Sequence, residues 1–216
     1  NFKFNGWAKY KNYQLDKHVP LKVANHLNIP FTQAPYNGKP VILEGGAIDV
    51  NGKGTLITSE ECLLHPTIQV RNKNFTKTDY EAVFKEYLGV TNVIWVGDGI
   101  VGDDTHGHID DLCRFVNEDT IITVVEPNKK SLNYKALQDN LQRLKNAVLE
   151  NGNKPTIVEL PMPEKLDFDG LTIPASYANF IILNKCVLVP TFNDANDSVA
   201  LNIISSCFPE RKVIGI

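Results

Sequence analysis

The densest group of side chains able to do chemistry lies between Asp103 and Asp111, in the run DDTHGHIDD. Two histidines and four carboxylates surround Gly107. Imidazole exchanges protons near neutral pH, and a carboxylate holds a cation. His108 beside Asp110 therefore suits a hydrolytic step on a positively charged group.

Three readings of this run stand side by side. It can be a polar turn ahead of a strand, with Asp110 accepting backbone N–H groups. It can be a metal site, since His106-x-His108-x-Asp110 has the ligand spacing of a binuclear zinc hydrolase. It can also be a metal-free site, with His108 carrying protons and Asp110 binding a cation. The histidine inventory weighs against metal. The five are His18, His26, His65, His106 and His108, so none follows His108 to supply the downstream ligands of a two-zinc site.

The elements that must position these residues follow from periodicity. A strand from Gly107 to Val116 would put His108, Asp110 and Leu112 on one face and Cys113 on the other, because strand side chains alternate. It pairs in the sequence pattern with Thr120–Val125 across Asn117-Glu118-Asp119. A helix after Ser131 follows, with Leu137, Leu141, Leu144 and Val148 aligned, and Asn151-Gly152 stops it before a strand at Thr156–Leu160. The same order of hairpin, helix and strand precedes this unit. Val41–Leu43, Ala47–Val50 and Thr55–Thr58 are extended around the turn signal Asn51-Gly52-Lys53-Gly54. A helix then begins with Thr78 and Glu81 as a capping box, carries Tyr80, Val83, Phe84, Tyr87 and Leu88 inward, and ends at Gly89 before Val93–Val96. The order returns a third time. Tyr177–Leu183 and Cys186–Val189 flank Asn184-Lys185. A helix capped by Asp197 or Ser198 aligns Val199, Ile203 and Cys207, and Lys212–Ile216 follows Pro209. The repeats span about 40–96, 107–160 and 175–216. Such a period predicts a solenoid, a propeller or a closed ring. In a ring the centre collects equivalent positions of each unit, and Glu44 and His108 are two of these. Ahead of the first unit, Asp16–Asn28 suits a helix with Pro20 in its first turn and Val19, Val23 and Leu27 in a row. Phe31–Gln33 is a short strand candidate, and Asn37-Gly38 marks a turn.

Composition bounds the rest. The chain has 216 residues, 43% hydrophobic and 22% charged, which suits one core better than two. A net charge of −3 favours neither nucleic acid nor an anionic membrane as partner. No apolar run has the length of a membrane span, and no signal peptide opens the chain. Cys62, Cys113, Cys186 and Cys207 are widely spaced without a C-x-x-C, as expected for reduced, mostly buried thiols in a cytoplasmic protein. Asn1 is not a methionine, and the apolar run Val213–Ile216 has no polar tail. Both ends are therefore expected to be cut from a longer chain.

Several motifs, in order along nearly the whole chain, resemble the agmatine deiminase family and its near relatives, the bacterial-type peptidylarginine deiminases. They are Phe4-Asn5-x-Trp7, Glu44-Gly45-Gly46, Gly52-x-Gly54-Thr55, Thr58-x-Glu60-Glu61-Cys62-Leu63-Leu64, Gly107-His108-Ile109-Asp110, Ala175-Ser176-Tyr177-x-Asn179-Phe180 and Phe208-Pro209. The resemblance implies an α/β propeller, the pentein fold of the guanidino-group-modifying superfamily, with five ββαβ blades of which this chain carries part. It implies cofactor-free, metal-free hydrolysis through a cysteine S-amidino intermediate. His108 would be proton carrier, Asp110 guanidinium binder, Glu44 the residue that orients His108 or the substrate amine, and Trp7 part of the substrate site. The family's nucleophilic cysteine would lie beyond Ile216, and a second guanidinium-binding aspartate before Asn1. Agmatine would give N-carbamoylputrescine and ammonia. Departures at His106, Asp111 and Leu171-Thr172-Ile173 leave agmatine and peptidyl arginine both open. A non-catalytic guanidinium-binding module is the remaining alternative, and pairing with a second copy, as a homodimer, would cover the edges of a partial ring.

Overall fold

The computed structural model describes residues 1–216. Helix α1 (Val19–Leu27) continues a 3-10 turn at Asp16–His18, with Pro20 in its first turn and Asn28 as a left-handed C-cap. Its predicted apolar row, Val19, Val23 and Leu27, stays exposed, and only Ala24 is buried. The strand expected at Phe31–Gln33 does not form. Instead β1 (Pro35–Tyr36) and β2 (Lys39–Pro40) pair across Asn37-Gly38, whose positive φ values are those of a two-residue hairpin turn.

Three sheets then repeat one plan. In the first, β3 (Ile48–Val50) runs antiparallel to β4 (Thr55–Ser59), and β4 runs parallel to β5 (Asn92–Val96). The short helix α2 (Glu60–Leu64) and helix α3 (Lys77–Leu88) make the crossover. The capping box of α3 is Thr76 with Asp79, two residues earlier than the predicted Thr78 and Glu81. Thr76 Oγ1 accepts from the Asp79 N–H, and Asp79 accepts from the Thr76 N–H. In the second sheet β6 (Cys113–Phe115) is antiparallel to β7 (Thr120–Val125), and β7 is parallel to β8 (Thr156–Pro161) across helix α4 (Tyr134–Asn146). Helix α4 ends earlier than its apolar row suggested, so Val148 is exposed and Leu149 takes the buried place. A hairpin absent from the sequence reading follows, β9 (Leu166–Phe168) with β10 (Leu171–Ile173). In the third sheet β11 (Ile181–Ile182) is antiparallel to β12 (Cys186–Val189), and β12 is parallel to β13 (Lys212–Gly215) across helix α5 (Asp197–Cys207).

Two expectations for the third unit need correction. Its first strand is two residues long, not Tyr177–Leu183, because Ser176 and Asn179 spend their hydrogen bonds on Asp111 of the neighbouring unit. Helix α5 has Asn196 at its N-cap without a side-chain bond. Asp197, one residue inside, instead accepts from the Phe192 and Asp194 N–H groups. Its buried row is Ala200 and Ile204, one residue on from the predicted Val199 and Ile203.

This is α/β architecture in successive ββαβ propeller blades. Tyr80, Val83 and Phe84 of α3 cover the first sheet, with Leu56 beneath them. A larger core continues from Ile57 and Ile94 through Ile121, Ile122 and Leu144 to Val187, Val189 and Ile204, so all three units share apolar faces. The openings of the units meet: the turn at Gly45–Ala47 packs on the one at Ile109–Asp111, which in turn receives Ser176 and Asn179. No helix is long and apolar enough to cross a membrane.

Candidate active site

Glu44 ends the extended segment that buries Val41 and Leu43, and a 3-10 turn at Gly45–Ala47 follows. The chain turns there because Gly46 lies against the second unit. A Cβ at Gly46 would overlap His108 Nδ1 and stand 2.7 Å from Asp110 Oδ2. The glycine thus leaves open the space that these two side chains share.

His108 arrives by a turn, not by a strand. Asp103 Oδ2 accepts from the N–H groups of Gly107 (2.8 Å) and His108 (2.9 Å), and its other oxygen accepts from the Thr105 N–H. His106 and Gly107 both have positive φ, and a Cβ on Gly107 would stand 2.9 Å from Glu61 Cβ. Ser59 donates to the Gly107 carbonyl. Residues Ile109–Asp111 then form a 3-10 turn closed by Leu112 N–H to the Ile109 carbonyl, and β6 begins only at Cys113. The predicted strand start at Gly107 is therefore wrong, and so is the alternation argument that paired His108 with Asp110. They meet around a turn, with Nδ1 3.8 Å from Asp110 Oδ1. Side-chain bonds to local backbone groups compete with a ladder here, and they win.

On its other side His108 Nε2 lies 3.4 Å from Glu44 Oε2. Glu44 is buried and carries a partner the sequence reading missed. Arg71 Nε is 3.2 Å from each Glu44 oxygen, Nη1 donates to the Gln69 carbonyl at 3.0 Å, and Nη2 donates to the Thr105 carbonyl. A buried carboxylate requires a cation or donors, which is the one signal that could have prompted a search. Nothing local names a residue 27 positions on. An ionised carboxylate only accepts, so the Nε2–H tautomer of His108 satisfies this pair and leaves Nδ1 free on the Asp110 side.

Asp110 contrasts with Glu44. Its side chain is 27% exposed and has only His108 as a close charged neighbour. Burial raises its carboxyl above the ordinary range, against the lowering effect of His108 and Arg114. Asp111 is buried on the opposite side and accepts from Asn179 Nδ2 at 3.0 Å. Burial pushes its pKa up to about 6. His106 turns away from this cluster. Its Nδ1 lies 3.1 Å from Glu61 Oε1, its ring meets His65 at 4.9 Å, and burial lowers its pKa. Trp7 stacks edge-on with Phe4 and Tyr10, and its carbonyl accepts from Gln69 Nε2. It thus reaches the cluster through Gln69 and Arg71 rather than by its own ring.

Cys62 is closer to the chemistry than its place in the sequence suggested. It lies in α2, and its Sγ comes within 4.8 Å of ligand atoms of both Glu44 and His108. These are metal-ligand types, but Glu44 already meets the Arg71 cation, and burial holds the thiol far above its ordinary pKa. The same burial silences Cys113, whose side chain is fully enclosed. Both lack the lowered pKa that marks a nucleophilic thiol. What the cluster can do is exchange protons at one imidazole and receive a cation on one half-open carboxylate.

The chain and its fold resemble known proteins. All of residues 1–216 match the model of the Porphyromonas-type peptidyl-arginine deiminase family. A Marinomonas sp. protein, provisionally named agmatine deiminase, is 33% identical over 100% of this chain and 62% of its own length. The solved structure of C. jejuni agmatine deiminase with substrate bound is 32% identical and superposes with a TM-score of 0.88, covering 100% of this chain and 61% of that one. That of Enterococcus faecalis agmatine deiminase, described as catalysing its reaction, is 31% identical with a TM-score of 0.87, over 100% and 63%. The chain thus spans about three fifths of the length of these relatives. With its whole length matched, and its blades superposing on solved members of the pentein fold, this chain belongs to the Porphyromonas-type peptidyl-arginine deiminase family.

Proposed function

We propose that the protein carrying this chain deiminates a guanidino compound, with agmatine as the first candidate. The observation that carries this reading is His108 held between a saturated carboxylate, Glu44, and a half-open one, Asp110, over the gap at Gly46. The substrate names of the relatives support it. A guanidinium is planar, positively charged and rich in donors, and a partly exposed carboxylate matches it. Asp110 accepts its N–H groups, and Trp7 supports the site only indirectly, through Gln69 and Arg71.

In the reaction a cysteine thiolate adds to the guanidinium carbon, and the C–S bond forms. His108 gives its proton to the departing nitrogen, so the C–N bond breaks and ammonia leaves. Neutral His108 then takes a proton from water as its oxygen adds to the same carbon. The C–S bond breaks, the thiolate returns, the remaining hydroxyl proton passes to solvent, and a neutral ureido product forms. No metal or cofactor enters. None of the cysteines in residues 1–216 is offered as the nucleophile, which is assigned to a further part of the protein. Residues 1–216 alone are expected to be inactive.

The test is ammonia release by the full-length protein from agmatine and from an arginyl peptide, with Cys62→Ser as control. Turnover of agmatine retained in the Cys62→Ser protein supports the reading. Turnover of the peptide alone moves the substrate to peptidyl arginine. No release from either favours a binding module, and loss of activity in Cys62→Ser would make Cys62 the nucleophile.

A further inference from the structure

We infer that Arg71 is a positioning residue for His108, acting through Glu44. Its guanidinium is fully enclosed, and each part of it has a partner. Nε faces both oxygens of Glu44, Nη1 ties down the Gln69 carbonyl, and Nη2 ties down the Thr105 carbonyl. Thr105 lies three residues before His108 in the turn that delivers it, and Glu44 is the acceptor at His108 Nε2. One side chain therefore holds both the base's acceptor and the loop that carries the base.

Two consequences follow. Without Arg71, Glu44 would be a buried carboxylate with no counter-charge, which either takes up a proton or swings away. In both cases it no longer accepts from His108 Nε2–H, and the ring loses its preference for the tautomer with Nδ1 free. Second, Arg71 is itself a guanidinium seated on Glu44. That seat is filled by the protein, so an incoming guanidinium is left with Asp110. The same residue sets which nitrogen is basic and which carboxylate is available.

The kinetic part of the test rests on the deiminase reading, and the spectroscopic part does not. In full-length protein, Arg71→Met is expected to lower kcat by about 30- to 100-fold with KM changed less than about threefold, since orientation rather than binding is lost. Arg71→Lys, which keeps a charge but not the fork, should recover part of the loss. The decisive comparison is the double variant Arg71→Met/Glu44→Gln against Glu44→Gln alone. If Arg71 acts mainly through Glu44, the double variant loses far less relative to Glu44→Gln than Arg71→Met loses relative to the parent, the remainder being the Thr105 tie, whereas independent roles multiply in full. The double variant also carries no unpaired buried charge, so it keeps the test open if Arg71→Met alone fails to fold.

Ring nitrogen NMR of His108, above its titration, should show the Nε2–H form in the parent protein and a mixture in the folded Arg71 or Glu44 variants. Multiplying kinetic losses, or an unchanged tautomer in a folded Arg71→Met or double variant, would overturn the inference. If the parent protein turns over no guanidine at all while the tautomer shifts as expected, the deiminase reading fails and the positioning role stands.

Discussion

The two sides of His108 differ in one respect that decides their work. On the Nε2 side every group is spoken for: Glu44 meets Arg71, and Arg71 meets Gln69 and Thr105. On the Nδ1 side no side chain donates to Asp110, whose nearest charged neighbour is the His108 ring 3.8 Å away, and Gly46 leaves a gap where any side chain would intrude. Both carboxylates come from turns that open a blade, and both lie beside the same ring. A saturated carboxylate can only orient, while a half-satisfied one, already lifted by burial, gains most from a cationic ligand. Chemical identity does not separate the roles of Glu44 and Asp110; the supply of partners does.

The comparison breaks most completely at the shared ring. His108→Ala is expected to lower ammonia release by roughly three orders of magnitude or more, because both proton transfers are lost. Asp110→Asn should cost a comparable amount and should raise KM for the guanidine as well. Steady-state kinetics on full-length protein check both, and an active His108→Ala would end the assignment.

Next comes the gap itself. Gly46 is not in the left-handed region, so Gly46→Ala adds no backbone strain there. The new methyl must push His108 or Asp110 aside, and displacements of that order cost about a hundredfold in rate. We expect that loss with the melting temperature nearly unchanged. A fully active Gly46→Ala would show that the gap is not where chemistry occurs.

A smaller effect concerns stability, at Asp111 behind the site. With its pKa raised to about 6 by burial, the folded protein holds this proton at pH values where the unfolded chain has released it. Its contribution is therefore most favourable below about pH 4, where both forms are protonated, and declines as pH rises through about 6. Asp111→Asn should remove that decline and can still accept from Asn179. Urea unfolding from pH 4 to 8 should show the variant gaining on the parent as pH rises, by up to about 3 kcal/mol at neutral pH. A constant difference across that range would contradict it.

The smallest expected effect is none. Because Arg71 occupies Glu44, chelators should leave the activity of full-length protein unchanged. Loss on chelation with recovery on zinc would return a metal site, with Glu44, Cys62 and His108 as its first candidates.

Legibility followed range along the chain. The Asn37-Gly38 turn, the strands flanking Asn51–Gly54 and the left-handed cap after Leu88 are written in neighbours, and they formed where expected. His108 and Glu44 were picked out by their types and by their places at unit openings, Asp110 by its type and its place beside His108, and the fold brought all three together. The exact route was not legible. Backbone alternation predicted a strand from Gly107, yet Asp103 and Ser59 take the backbone groups that a ladder would need, so the chain turns instead.

By itself, then, the sequence determined the hairpin, helix and strand order of the units, the family, and the residue types at the centre. The order of the units depends on periodicity and on local turn and cap chemistry, and the family on the motifs that resemble it. Only the tertiary structure decided which carboxylate is closed and which is open, that Cys62 approaches His108, and that Arg71 underlies them both. The reason is physical. Desolvation and counter-charge depend on what packs within a few ångströms, and residues separated by tens of positions supply it. A sequence records such a pair only as two charged residues in different loops.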